Sequence, residues 1–227
     1  GKYKHLSIVF SLVVIATVLL RMAFGFMFQL PWPATTEELG KDVLYFLGFG
    51  WPETANAQAQ QIDAMFNGHY WMISFLFALI MVIMLYSVVV FRRQPGDDTD
   101  GPHMHGNTAL EVSWTIIPTV VVIGFGVWGA FVMNDITAPK DDEMVIHVVG
   151  RQWSWSFEYP EQENIASAEL ILPVNQPVLL EMESEDVLHS FWVPEFRVKQ
   201  DLVPGRTTEL RITPTEEGDY KLRCAEI

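Results

Sequence analysis

The sequence predicts a membrane-anchored α + all-β protein: transmembrane helices followed by a water-facing β-sandwich or barrel. Three observations predict it. Half of the residues are hydrophobic, yet the formal net charge is -14. The charge is partitioned, because residues 133–227 hold 19 acidic and 8 basic residues while residues 1–132 hold 9 and 6. After Met133 the hydrophobic pattern changes from long uncharged runs to short alternating ones.

The elements follow in order. Residues 6–20, LSIVFSLVVIATVLL, come after Lys2 and Lys4 and have the character of the n- and h-regions of a signal peptide. Arg21 is followed by more apolar sequence, MAFGFMFQLPW, so residues 1–30 are read as carrying a retained transmembrane helix. Arg21 then lies away from the helix centre, snorkelling or finding a partner in another subunit. Residues 31–68 mix Pro, Gly and Ala-Gln sequence with the aromatic run VLYFLGFGW. They read as an extracytoplasmic loop with a short amphipathic piece on the membrane surface. Residues 69–133 read as a transmembrane hairpin. Its two spans, 70–91 and 112–133, contain no charged residue, and a crossing needs about 20 apolar residues. Pro118 in the second span is tolerable where neighbours satisfy the freed carbonyl.

Orientation follows from basic residues. Lys2 and Lys4 precede the first helix, and Arg92 and Arg93 end the second, which places both sets in the cytoplasm. Residues 31–68 and 134–227 then lie outside. The inner loop RRQPGDDTDGPHMHGN carries His103 and His105. They read as solvated, since an isolated H-x-H pair offers too few ligands for a metal.

In residues 134–227 the runs EMVIHVVG, WSWSFEY, AELILP, PVLLEMES and TTELRITP are short and bounded by turn residues. No helix-length periodic segment intervenes, so one sandwich of about 90 residues with a single core is predicted. Trp153, Trp155, Phe157 and Tyr159 alternate and are expected to share one face. The acidic surface reads either as a solubility device or as a docking surface for a basic partner. No nucleic-acid partner is expected of so acidic a chain.

One cysteine excludes an internal disulfide framework. His189, in DVLHSFWVP, reads by itself as a hydrogen-bonded sandwich histidine, and Cys224, in YKLRCAEI, as a small buried hydrophobe. Together they suggest a soft N/S site, held between a mid-domain loop and the last strand, of the kind copper prefers. One His and one Cys do not close a site, and the bare residues leave both readings open.

Four stretches carry a family resemblance: NTALEVSWTIIP, GRQWSWSFEYP, DVLHSFWVPEFRVKQDLVPGR and CAEI. In that order, over residues 69–227, they resemble subunit II of cytochrome c oxidase, in the haem-copper oxidase family. The resemblance implies two core helices and an outer cupredoxin-like Greek-key domain, to which the N-terminal helix is an addition. It implies a dinuclear copper centre (CuA) held in part by His189, Cys224 and the main-chain carbonyl of Glu226. The remaining ligands, a second Cys, a second His and a Met, are expected beyond Ile227. The side chain of Glu226 is expected to reach a magnesium ion shared with subunit I, with Asp201 orienting water or Arg206 nearby.

The same resemblance implies roles and partners. Trp153, by strand position a core aromatic, matches the family's point of electron uptake. Arg151 and Ser154 stand where the family has His and Tyr. Glu183, Glu185 and Asp186, just before His189, are candidates for docking a cytochrome c or a membrane-tethered cytochrome. Glu111, in its own right a helix-start carboxylate, matches the mouth of a proton path into subunit I. The implied protein is a subunit of a proton-pumping oxidoreductase in a bacterial inner membrane, with the oxygen chemistry in subunit I. Its partners are subunit I, further oxidase subunits, the cytochrome donor and the lipid bilayer. The rival is a copper-free scaffold subunit of the kind found in quinol oxidases.

Overall fold

In the computed structural model, residues 2–29, 52–96, 98–101 and 103–226 are described. The chain divides into two compact units, Gly1–Trp51 with Phe66–Trp128, and Pro52–Met65 with Gly129–Ile227.

Among the described residues three helices are long and apolar enough to cross a membrane: α1 (Lys2–Gln29), α2 (Ala59–Val90) and α3 (Thr108–Thr137). In the first unit Val13 and Thr17 are buried on α1 and Ser74 and Ala78 on α2, small or polar groups of the kind over which helices associate when lipid is as apolar as their side chains. Arg21 donates to Asn67 Oδ1 at 2.8 Å and lies over the rings of Tyr70 and Trp71. The cation expected to snorkel or to find a partner in another subunit instead has neighbours within its own chain. Between α2 and α3, Gly68 admits Trp128, whose ring carbon would lie 2.7 Å from an added Cβ. α3 starts at a cap: Asn107 Oδ1 accepts from Leu110 N–H, and Glu111 Oε1 accepts from Asn107 N–H.

α2 begins at Ala59, ten residues before the expected start of the hairpin at residue 69. The cause is packing in the second unit. Ala55, Asn56 and Ala59 are buried, and Asn56 bridges to Pro214 as an added β-contact. Asn56 donates to Phe196 O at 3.0 Å and accepts from Thr213 N–H at 2.9 Å. A buried amide satisfied on both sides fixes the segment that enters the helix. The aromatic run at 43–51 lies outside the described residues.

The rest of the second unit is a two-sheet sandwich. One sheet has the order β3-β2-β1-β4-β7, the other β6-β5-β8. Their ranges are β1 Met144–Arg151, β2 Ser154–Tyr159, β3 Ile165–Ser167, β4 Val178–Ser184, β5 His189–Val193, β6 Val198–Leu202, β7 Thr208–Ile212 and β8 Arg223–Cys224. β1 runs parallel to β4, and the other pairs are antiparallel. Alternation places Ile146 and Val148, Val178, Leu180 and Met182 on the inner face, against Phe191, Val193 and Leu202 of the facing sheet. Each such side chain contributes roughly 1.5–3 kcal/mol by leaving water.

Two expectations are corrected here. AELILP is not a strand. Leu170 and Leu172 pack on the core, but Ile171 uses the hydroxyl of Tyr159 as its hydrogen-bond partner in place of a ladder. Trp153 does not share the face of Trp155, Phe157 and Tyr159. It lies in the turn between β1 and β2 and is 92% exposed.

Candidate metal centre

His189 opens β5 instead of lying in a loop, and Cys224 ends β8. The register explains their meeting. Phe191 faces Cys224 across the β5–β8 ladder, and Ala225 N–H donates to Ser190 O at 3.0 Å. Side chains two apart on one strand share a face, so His189 is the diagonal neighbour of Cys224. His189 Nδ1 lies 3.8 Å from Cys224 Sγ, which is itself 3.9 Å from Glu226 O. A nitrogen, a sulfur and a carbonyl oxygen thus converge at the sheet edge. His189 is 8% exposed, whereas Cys224 is open to solvent.

The other nitrogen of His189, Nε2, is 2.7 Å from Asp186 Oδ1. Asp186 also accepts from Val187 N–H and, through Oδ2, from Gln152 N–H, both at 2.7 Å. Hydrogen bonds from Gln152, His189 and Val187 hold its carboxyl down to about 2. Asp186, expected as a docking carboxylate, is therefore engaged in orienting His189 and the turn that carries Trp153. Burial works against protonating His189, but Asp186 and Cys224 outweigh it and raise its pKa. Burial likewise opposes ionising Cys224, yet the backbone of Ser190 and Glu226 and the His189 imidazole together lower its pKa.

The remaining expected residues are placed as follows. Glu183 Oε1 accepts from Thr207 Oγ1 at 2.5 Å, and Glu185 pairs with Arg151 at 3.4 Å. The departure at Arg151 thus tempers the charge of a docking candidate. Glu226 Oε1 lies 3.5 Å from Lys199 Nζ, which also approaches Asp201 Oδ1 at 3.9 Å and Ala225 O at 3.2 Å. Asp201 accepts from Ser190 Oγ at 2.7 Å. Glu111 lies far off in sequence, capping α3.

The donor set fits copper in kind: a thiol, an imidazole whose second nitrogen is held by a carboxylate, and a carbonyl. Among the described residues no three His, Cys, Asp or Glu side chains form a metal group. The oxygens around Lys199 Nζ already hold a cation, the kind of donor a hard ion such as magnesium takes. Sequence reasoning missed Asp186 as an orienting group, although its place three residues before His189 was a local signal. It also missed Lys199.

A membrane-anchored sandwich gathering an imidazole, a thiol and a carbonyl at one sheet edge is the class the geometry defines. Residues 45–131 match the family model for cytochrome c oxidase subunit II, transmembrane domain, and residues 165–227 that for its periplasmic domain. Cytochrome c oxidase subunit 2 of Synechocystis sp. is 32% identical over 223 residues, covering 78% of this chain and 67% of the relative. That of Alkalihalophilus pseudofirmus is 36% identical over 173 residues, covering 69% and 51%. Quinol oxidase subunit 2 of Bacillus spizizenii is 32% identical over 158 residues, covering 66% and 49%. The chain spans about half to two thirds of the length of these relatives. It belongs to the cytochrome c oxidase subunit II family, and is a membrane protein with an extracytoplasmic, cupredoxin-like domain.

Proposed function

We propose that this chain is the subunit through which a respiratory haem-copper oxidase accepts electrons from a cytochrome c for delivery to haem in subunit I. The observation that carries the reading is the convergence of His189 Nδ1 and the Glu226 carbonyl on Cys224 Sγ. A dinuclear copper centre, when bound, would supply one-electron relay at these donors. His189, Cys224 and the Glu226 carbonyl would hold it, with further ligands outside residues 1–227. The protein's part is to keep those donors fixed. β5 and β8 set the separation of ring and thiol, and Asp186 holds Nε2 so that Nδ1 is the free face.

Trp153, almost fully exposed in its turn, offers a flat aromatic surface to the donor protein. The Gln152 N–H bond to Asp186 ties that turn to the carboxylate that orients His189. Glu183 and Glu185 border the same end of the sheet and favour a basic partner. Glu226, with Asp201 close to the same ammonium, is the group to share magnesium with subunit I in place of Lys199. Glu111, at the start of α3, would collect protons on the cytoplasmic side. The setting is a bacterial plasma membrane, with N-terminus inside and sandwich outside.

Copper per haem in the purified oxidase, wild type against Cys224→Ser, tests the reading. A lower ratio in Cys224→Ser supports it. An equal ratio favours the second reading, a copper-free scaffold, which the likeness to a quinol oxidase subunit supports.

A further inference from the structure

Gly150 is the last inward-facing residue of β1, after Ile146 and Val148. Its φ is not positive, so the backbone does not require glycine. The space does. A methyl group there would lie 3.2 Å from His189 Cδ2, 3.3 Å from His189 Cγ and 3.2 Å from Leu202 Cδ2. The imidazole therefore rests directly on the β1 backbone. Gly150 O accepts from Glu185 N–H at 3.1 Å, which ties the same point of β1 to the segment leading into β5.

Directly across the antiparallel β1–β2 ladder, the partner of Gly150 is Trp155. Its ring stands edge-on to His189, with centroids 6.0 Å apart at 63°, and edge-on to Phe191 at 6.2 Å and 85°. An aromatic opposite a glycine covers the gap that the missing side chain leaves. Here the gap is filled from both sides, by the indole and by the imidazole. The ring of His189 is thus bounded by the Gly150 backbone, by Trp155 and, at Nε2, by Asp186. Nδ1 is left directed at Cys224.

We propose that Gly150 and Trp155 are positioning residues, a cross-strand seat that fixes the orientation of the His189 imidazole so that Nδ1 and Cys224 Sγ present a prearranged pair of donors. It rests on reading His189 and Cys224 as copper ligands. A methyl at Gly150 presses on the ring and on Leu202 by a few tenths of an ångström, and a ring that yields to it disturbs the 2.7 Å contact with Asp186 or the approach to Cys224.

The test uses the full chain in detergent, stripped of metal and titrated with Cu(II), with two readouts besides stability. One is copper affinity and the sulfur-to-copper charge-transfer band. The other, without metal, is the rate at which iodoacetamide alkylates Cys224. Gly150→Ala is expected to weaken copper binding about 10–100-fold, the range for groups that orient a metal ligand, to shift the band and to change the alkylation rate several-fold. Trp155→Phe should act in the same direction and serves if Gly150→Ala does not fold. Val148→Ala, two residues back on the same strand, should lower the unfolding temperature and leave affinity, band and alkylation rate unchanged. Wild-type values in both Gly150→Ala and Trp155→Phe would overturn the seat, as would Val148→Ala reproducing their effects. If the wild type takes up no copper, the copper reading fails. The alkylation rates then decide the seat alone, and equal rates overturn it.

Discussion

His189 Nε2 lies 2.7 Å from Asp186 Oδ1 while Nδ1 of the same ring faces Cys224 Sγ at 3.8 Å. One imidazole thus joins an ionised carboxylate to a thiol, and both neighbours favour its protonated form when no metal is bound.

That arrangement gives a pH signature in the metal-free protein. Asp186 is held below its ordinary 3.8, at about 2. Its contribution to stability is present above 3.8 and is lost as pH falls through about 2. The pKa of His189 is raised above 6.5. Its contribution is complete below 6.5 and is lost as pH rises through the raised value. The pair therefore stabilises most between those limits. Asp186→Asn should lower the unfolding temperature there and flatten its dependence on pH. Parallel curves for the two proteins would contradict this.

Arg197 and Asp63 join the sandwich to the start of α2. Arg197 Nε donates to Asp63 Oδ1 at 3.0 Å, and the guanidinium also donates to Pro194 O and Pro52 O. The Arg197 side chain is only 5% exposed. Asp63→Ala leaves that charge without its carboxylate and should cost about 2–4 kcal/mol. Asp63→Asn, which retains an oxygen acceptor, should cost less. Chemical denaturation of the second unit, followed by tryptophan fluorescence, reads both.

Trp153→Ala should leave stability within about 0.5 kcal/mol, since an exposed turn residue has little packing to lose. It should slow reduction of the oxidase by reduced cytochrome c strongly, with copper content unchanged. Stopped-flow reduction at rising salt separates docking from transfer. Neutralising Glu183 and Glu185 should reduce the salt dependence, whereas Trp153→Ala should not.

Glu111 separates its two roles by substitution. Glu111→Gln keeps an acceptor for Asn107 N–H and hence the helix cap. It should slow proton uptake coupled to turnover while leaving haem reduction at its normal rate. If Glu111→Gln behaves as wild type and Glu111→Ala only lowers assembly, the carboxylate is a cap alone.

The membrane spans were legible in the sequence because lipid leaves the backbone few choices, and uncharged runs declare themselves. The sandwich was legible through alternation, as in β1 and β4. Trp153 misled because alternation continues in the sequence past the point where β1 turns into β2. AELILP misled because a tyrosine hydroxyl, distant in sequence, satisfies its backbone. The early start of α2 depends on Asn56 meeting Phe196 and Thr213, contacts that no local pattern encodes. His189 and Cys224 suggested a soft N/S site by residue type, and the family resemblance assigned them to a copper centre. Their diagonal pairing, the turn of Asp186 toward the ring and the close approach of Gly150 to it follow from strand register, which a single sequence does not show.

The most direct test of copper-mediated electron acceptance combines copper analysis with electron paramagnetic resonance on the purified oxidase, in wild type and in Cys224→Ser. The wild type should hold copper beyond that of subunit I, with a signal from copper bonded to sulfur, and should be reduced rapidly by cytochrome c. Cys224→Ser should lose the extra copper, the signal and the rapid reduction together. Equal copper content and equal reduction rates in the two proteins would contradict electron acceptance at this site.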